Sequence, residues 1–109
     1  MNIFLYIKSR IALHRAIRKA DKAHRLNPTS AYFVVLNDKN ALVVIDKNTF
    51  QYYKRKKIVN PRATINDLYR ECYYFTAGKG GLNPITPHIK KLKQKMYIHH
   101  INQLKKQGK

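Results

Sequence analysis

A small single α+β domain, a central β-hairpin packed by helices in the order α-β-β-α-α-loop-α, is predicted by three observations. Between Ala31 and Asp46, two runs of β-branched and aromatic residues, Tyr32 to Leu36 and Leu42 to Ile45, flank the turn-forming Asn37-Asp38-Lys39-Asn40, the pattern of a hairpin. The segments before and after it place apolar residues at steps of three and four, the helical period. The chain has 109 residues, which suits one domain with one modest core.

The first helix is read from Asn2 to Leu26. Leu5, Tyr6, Leu13, Ala16, Ile17, Ala20 and Ala23 share one face, and Arg15, Arg18, Lys22 and Arg25 share the opposite one. Phe4, Ile7 and Ile11 lie off the apolar face, as expected of turns buried on two sides or meeting a partner. Asn27-Pro28 stops the helix, because proline disfavours helical geometry in the residue before it. Both hairpin strands are nearly continuous apolar runs, so both faces of the hairpin are expected to be covered. Asn48 or Thr49 is placed to cap a short helix whose inner face carries Phe50 and Tyr53. Asn60-Pro61 ends it. Thr64-Ile65-Asn66-Asp67 then has the form of a capping box with Asp in the Glu position. The helix it opens sets Ile65, Leu68, Cys72 and Phe75 in a core stripe.

Three glycines and two prolines between Thr76 and Pro87 exclude regular structure there. The organisation read from this is a core domain over 1–76, a Gly/Pro-rich linker over 77–87 and a mobile basic helix over 88–109. The last helix draws its apolar line from Ile89, Leu92, Met96, His100 and Leu104, with Tyr97 and Ile101 beside them. Lys90, Lys91, Lys93, Lys95, Lys105 and Lys106 cover the rest.

Charge is the dominant compositional signal. Lys and Arg number 23 against 5 Asp and Glu, a formal +18. Self-repulsion on this scale loosens a compact domain unless a polyanion screens it. DNA or RNA is therefore the expected partner. A larger assembly with acidic or apolar protein partners is the competing expectation, and a self-contact through Phe4, Ile7 and Ile11 would give a homo-oligomer. No run is long enough to span a bilayer. Lys8 and Arg10 interrupt the apolar start, so no signal peptide is expected. The localisation this implies is cytoplasmic, or virion-associated for a phage-encoded chain.

The strongest candidate contact is Tyr52-Tyr53-Lys54-Arg55-Lys56-Lys57, extended by Arg62. Its cations suit phosphates and Tyr52 can stack on a base. The Arg15, Arg18, Lys22, Arg25 face and Lys90, Lys91, Lys93 and Lys95 of the last helix are the second and third candidates. Each has an ordinary alternative in a solvated basic helix face. Gly78-Lys79-Gly80-Gly81 lacks the spacing of a P-loop and reads as a turn. Tyr97-Ile98-His99-His100-Ile101-Asn102 resembles part of the metal-binding segment of HNH nucleases, but the Asn and His that motif needs downstream do not follow, and no metal site is assigned. Cys72, the lone cysteine, excludes an internal disulfide and falls on the core stripe rather than in a reactive setting. With so few acids, paired-carboxylate and two-metal chemistry have little to work with. No catalytic residue and no cofactor is assigned, and the chain is not expected to be an enzyme.

The stretch VVIDKNTFQYYKRKKIVNPRATINDLYRECYYFTAGKGG resembles short basic uncharacterised proteins of gut Bacteroidales and their phages. The likeness rests on Asp46-Lys47-Asn48-Thr49-Phe50, the basic cluster and Asp67-Leu68-Tyr69-Arg70-Glu71-Cys72-Tyr73. It implies no activity and transfers no functional residue, but it keeps a phage or mobile-element role open. The function expected is non-enzymatic nucleic-acid binding through the phosphate backbone with little sequence specificity. The alternative is a structural or assembly protein, a phage virion component among the cases.

Overall fold

The computed structural model describes residues 3–37, 39–78 and 84–107, with side chains from 6 to 104 within those ranges. Helix α1 (Ile3–Leu26) leads into strands β1 (Tyr32–Leu36) and β2 (Leu42–Asp46). Helices α2 (Lys47–Arg55) and α3 (Ile65–Glu71), the short strand β3 (Tyr74–Phe75) and helix α4 (Pro87–Gln107) follow. The α+β class is as expected, with one strand more than the sequence reading supplied.

The hairpin sits at the centre of three layers. β1 and β2 pair antiparallel from Tyr32↔Asp46 to Leu36↔Leu42. Side chains alternate along a strand, so Val34 and Val44 pack under α1 and α4, while Phe33 and Ile45 pack under α2 and α3. The near-continuous apolar runs follow from this, because a strand buried on both faces has no solvent side on which to place polar residues. At the turn, Asn37 Oδ1 accepts from the backbone N–H groups of Lys39 and Ala41 at 2.9 and 3.0 Å. Asn40 takes φ 60°, a left-handed conformation that Asn tolerates better than other non-glycine residues.

α1 buries Leu13, Ala16, Ile17 and Ala20 against the sheet. The alanines bring the helix close to the strands. α2 begins two or three residues earlier than expected, since Asp46 at the end of β2 is its cap and accepts from Thr49 N at 2.8 Å. The capping box of α3 is present in full, with Thr64 Oγ1 accepting from Asp67 N and Asp67 accepting from Thr64 N.

α3 ends at Glu71, and Cys72 is already extended. Tyr74 and Phe75 therefore belong to a strand, and β3 pairs with the free edge of β1 in the sheet order β2-β1-β3. Aromatic residues favour a strand, and an unpaired β1 edge inside a covered sheet would leave backbone groups without partners. Ile65, Leu68, Cys72 and Phe75 still share one core cluster. The predicted stripe has the right members, but Phe75 reaches it from a strand.

The C-terminal helix packs on the rest of the domain. α4 opens with Thr86 as cap, accepting from Ile89 N at 3.2 Å, and with Pro87 in the first turn, where its missing N–H costs nothing. It packs on α1 and β3, burying Tyr97 against Tyr73 at a ring-centroid distance of 5.2 Å. Ile85, from the expected linker, packs against both core clusters. Of the Gly78-Lys79-Gly80-Gly81 run, residues 79–81 lie outside the described residues. The face of α4 turned inward also differs from the one expected. Ile89, Leu92 and Met96 stay 37%, 43% and 42% exposed, whereas Lys93, Tyr97, Ile98 and Ile101 face the core.

Candidate nucleic-acid interface

Lys93 departs furthest from expectation. It is 4% exposed, and its Nζ donates to the backbone oxygens of Tyr69 at 2.7 Å, Arg70 at 3.2 Å and Cys72 at 2.8 Å. These carbonyls belong to the end of α3, where the last C=O groups of a helix have no partner within it. An ammonium has three donors, and all three are used. The same Nζ lies 5.6 Å from the centre of the Phe75 ring. Lys93 is thus a tertiary cap that fastens α4 to α3, and it is removed from the candidate phosphate contacts. Cys72, packed beside it, is 1% exposed, and burial pushes its thiol up to about 11. That is the setting of an inert core residue.

The remaining candidates form two surfaces on opposite sides of the sheet. On the first, Arg15, Arg18, Lys22 and Arg25 are all exposed on α1, and Lys90, Lys91 and Lys95 are exposed on α4. The two helices run antiparallel, and two adjoining hollows that share Arg10 and Gln94 form a groove along their seam. Arg10, His14 and Arg18 line one wall, and Lys90, Gln94, Ile98 and Asn102 line the other. The groove has a cavity of about 500 Å³ towards Arg18 and another of about 440 Å³ towards Tyr6. α1 and α4 together carry one acid, Asp21, and it is turned inward to accept from the Tyr74 hydroxyl at 2.6 Å. Burial, with that hydrogen bond, raises the Tyr74 pKa above the usual tyrosine range.

The second surface is the end of α2. The helix closes with Ile58 N bonded to Tyr53 O and Lys57 N to Lys54 O, and Lys57 adopts φ 59°. This is a Schellman-type stop with lysine where glycine is usual. The stop pushes Lys56, Lys57 and Ile58 into solvent. Lys54 is half-buried with its Nζ 5.7 Å from the Phe50 ring centre, and Lys56 lies at the same distance over Tyr52. Tyr52 is 47% exposed, while Phe50 is buried in the core. Arg55 and Arg62 are exposed, with Arg62 in the α2–α3 connection, where its N–H donates to Asn60 Oδ1 at 3.0 Å. Lys54 and Arg55 also complement the negative end of the α2 dipole.

Ile7 and Ile11, expected at a partner contact, are 49% and 47% exposed, and with Ala12 and Arg15 they border a shallow hollow. The side chain of Phe4 lies outside the described residues. His99 is exposed and His100 rests on Tyr73. Among the described residues no group of three potential metal ligands converges, and no helix is long and apolar enough to cross a membrane.

Arg10, His14, Gln94 and Asn102 were not expected in the site. Their signal was present as two rows at steps of four, Arg10-His14-Arg18 and Gln94-Ile98-Asn102, but only packing shows that the rows face each other. Compared with models of protein families, with curated proteins and with solved structures, the chain matches none.

Proposed function

We propose that this chain is a non-enzymatic nucleic-acid-binding protein that holds the phosphate backbone with little sequence specificity. The α1/α4 face is its main contact, and the α2 terminus with Arg62 is a second. One observation carries this reading: apart from Lys93, the described cations lie at the surface, most without an acid to pair with. Asp21 is held by Tyr74, Asp46 caps α2, and Asp67 caps α3. Among the described residues the one ion pair is Arg70 with Asp67. An exposed cationic face of this kind is neutralised by phosphates, with release of their counterions.

The test is a titration of labelled single- and double-stranded oligonucleotides at several salt concentrations. Affinity should fall steeply between about 50 and 200 mM salt. Replacing Arg18 and Lys90 together with Ala should flatten the slope by about two phosphate contacts. Absence of binding at the lowest salt would overturn the reading.

A second reading is favoured by the half-exposed Ile7 and Ile11 on α1 and Ile89, Leu92 and Met96 on α4. In it the chain is an assembly protein that docks apolar partners. Such a complex would persist in high salt, because apolar burial is not screened.

A further inference from the structure

The α1/α4 groove is concave, and its walls are not uniformly cationic. At the Tyr6 end Arg10, Lys91 and Lys95 share the lining with Tyr6, Ile98 and the side-chain amides of Gln94 and Asn102. Gln94 and Asn102 are half-buried, and among the described residues no hydrogen bond uses either amide. A phosphate-only surface has no need of these groups. Amides are paired donor and acceptor groups of the kind that meet base edges. Tyr6 is 37% exposed, and Arg10 holds it in place, donating to its hydroxyl at 3.3 Å and lying 5.5 Å from the ring centre.

The geometry points to single-stranded nucleic acid as the ligand of this groove, with an unpaired base entering the Tyr6 end. This rests on the nucleic-acid reading above and deepens it. In a duplex the Watson–Crick edges are paired and the faces stacked, leaving only the groove edges exposed, so no duplex base can lie flat against Tyr6. An unstacked base can lie against Tyr6 and Ile98 and meet the amides, while its flanking phosphates lie on Lys91 and Lys95 and, farther along, on Arg18 and Lys90. From Tyr6 to Arg18 the helical rise gives a groove about 18 Å long, which holds only a few nucleotides. Stacking on one ring is tolerant of base identity, so strandedness is the main selection and the amides add a preference only for the base that meets them.

The test uses fluorescence anisotropy with three probes at one salt concentration. They are an oligothymidylate of about 12 nucleotides, an abasic deoxyribose-phosphate strand of equal charge, and a duplex of equal length. The thymidylate should bind about 10-fold more tightly than the abasic strand, the scale of one stacked base. Tyr6→Ala and the Gln94→Ala/Asn102→Ala pair should each remove most of that gap, because they weaken thymidylate binding far more than abasic binding. Tyr6→Phe, which keeps the ring, should retain it. Far-ultraviolet circular dichroism checks that each variant is folded. Equal affinity for thymidylate and abasic strand would overturn the inference while leaving phosphate binding intact, and so would tighter binding of the duplex. Failure of all three probes to bind would overturn both readings.

Discussion

At the scale of the residue, the same chemical group does two opposite things here. Lys91 is exposed, whereas Lys93, two positions on, is enclosed with all its protons committed to carbonyl oxygens of α3. Removing the ammonium while keeping the stem strands those oxygens in a dry site. Lys93→Met should therefore cost about 2 kcal/mol of stability, the scale of a lost charged hydrogen-bond set, read from the midpoint of urea unfolding. Lys91→Met should leave the midpoint nearly unchanged, within about 0.5 kcal/mol, and lower oligonucleotide affinity instead. A Lys93→Met variant as stable as the parent would show that the cap carries no weight. Nothing in the sequence separated these two lysines. Both sit in a lysine-rich helix, and the inward direction of that helix is set by carbonyls contributed from about twenty residues earlier.

At the scale of the element, legibility followed how local the determining interactions are. The capping box of α3 was readable because its partners lie three residues apart. It also yields a quantitative expectation. Thr64→Ala should destabilise the protein by about 1 kcal/mol, a typical loss for an N-cap, seen as a lower unfolding midpoint at neutral pH. The backbone N–H of Thr64, foremost, and the Arg70 guanidinium hold the Asp67 carboxyl below its ordinary value. A group lowered in the folded state stabilises above its unfolded pKa, and that contribution fades as pH falls through the folded one. The stability that Asp67 supplies is thus present at neutral pH and lost on acidification below about pH 4, and Asp67→Asn should flatten that limb of the pH profile. The hairpin was legible for a similar reason, as its strands and turn are contiguous. β3 was not, because a helical spacing through Phe75 and an extended one put the same residues in the same core. What decides between them is the free edge of β1, a feature forty residues away. The rotation of α4 was not legible either. Ile89, Leu92 and Met96 look like a buried line, but Tyr97 with Tyr73 and Lys93 with the end of α3 fix the other face.

At the scale of the whole molecule, the fold divides its charges by location. The acids of known placement mostly serve joints, at a helix cap or against a tyrosine, and the described cations other than Lys93 lie at the surface. Net charge was fully legible in the composition, but its division between two faces was not. A chain at +18 should therefore gain stability as salt screens it. Raising ionic strength from about 0.01 M to 0.15 M shortens the screening length from about 30 Å to about 8 Å. The melting temperature should rise by several degrees, since about 1 kcal/mol corresponds to about 4–8 °C in a domain of this size. A melting temperature that fell with added salt would mean that attractive pairs, rather than self-repulsion, dominate the folded state.

The hydrogen bond from Tyr74 to Asp21 spans 53 positions of sequence, and this separation bears on how the molecule is made. A chain emerging from the ribosome can form α1 and the hairpin early, because their contacts are close in sequence. The β1 edge that β3 will occupy then has no partner until Tyr74 and Phe75 have been synthesised and cleared the exit tunnel. During that interval the nascent protein presents an open strand edge, the kind of surface on which chains pair wrongly with one another. The positive charge already on α1 repels a second such chain, so the feature that sets the surface of the finished protein also opposes that pairing.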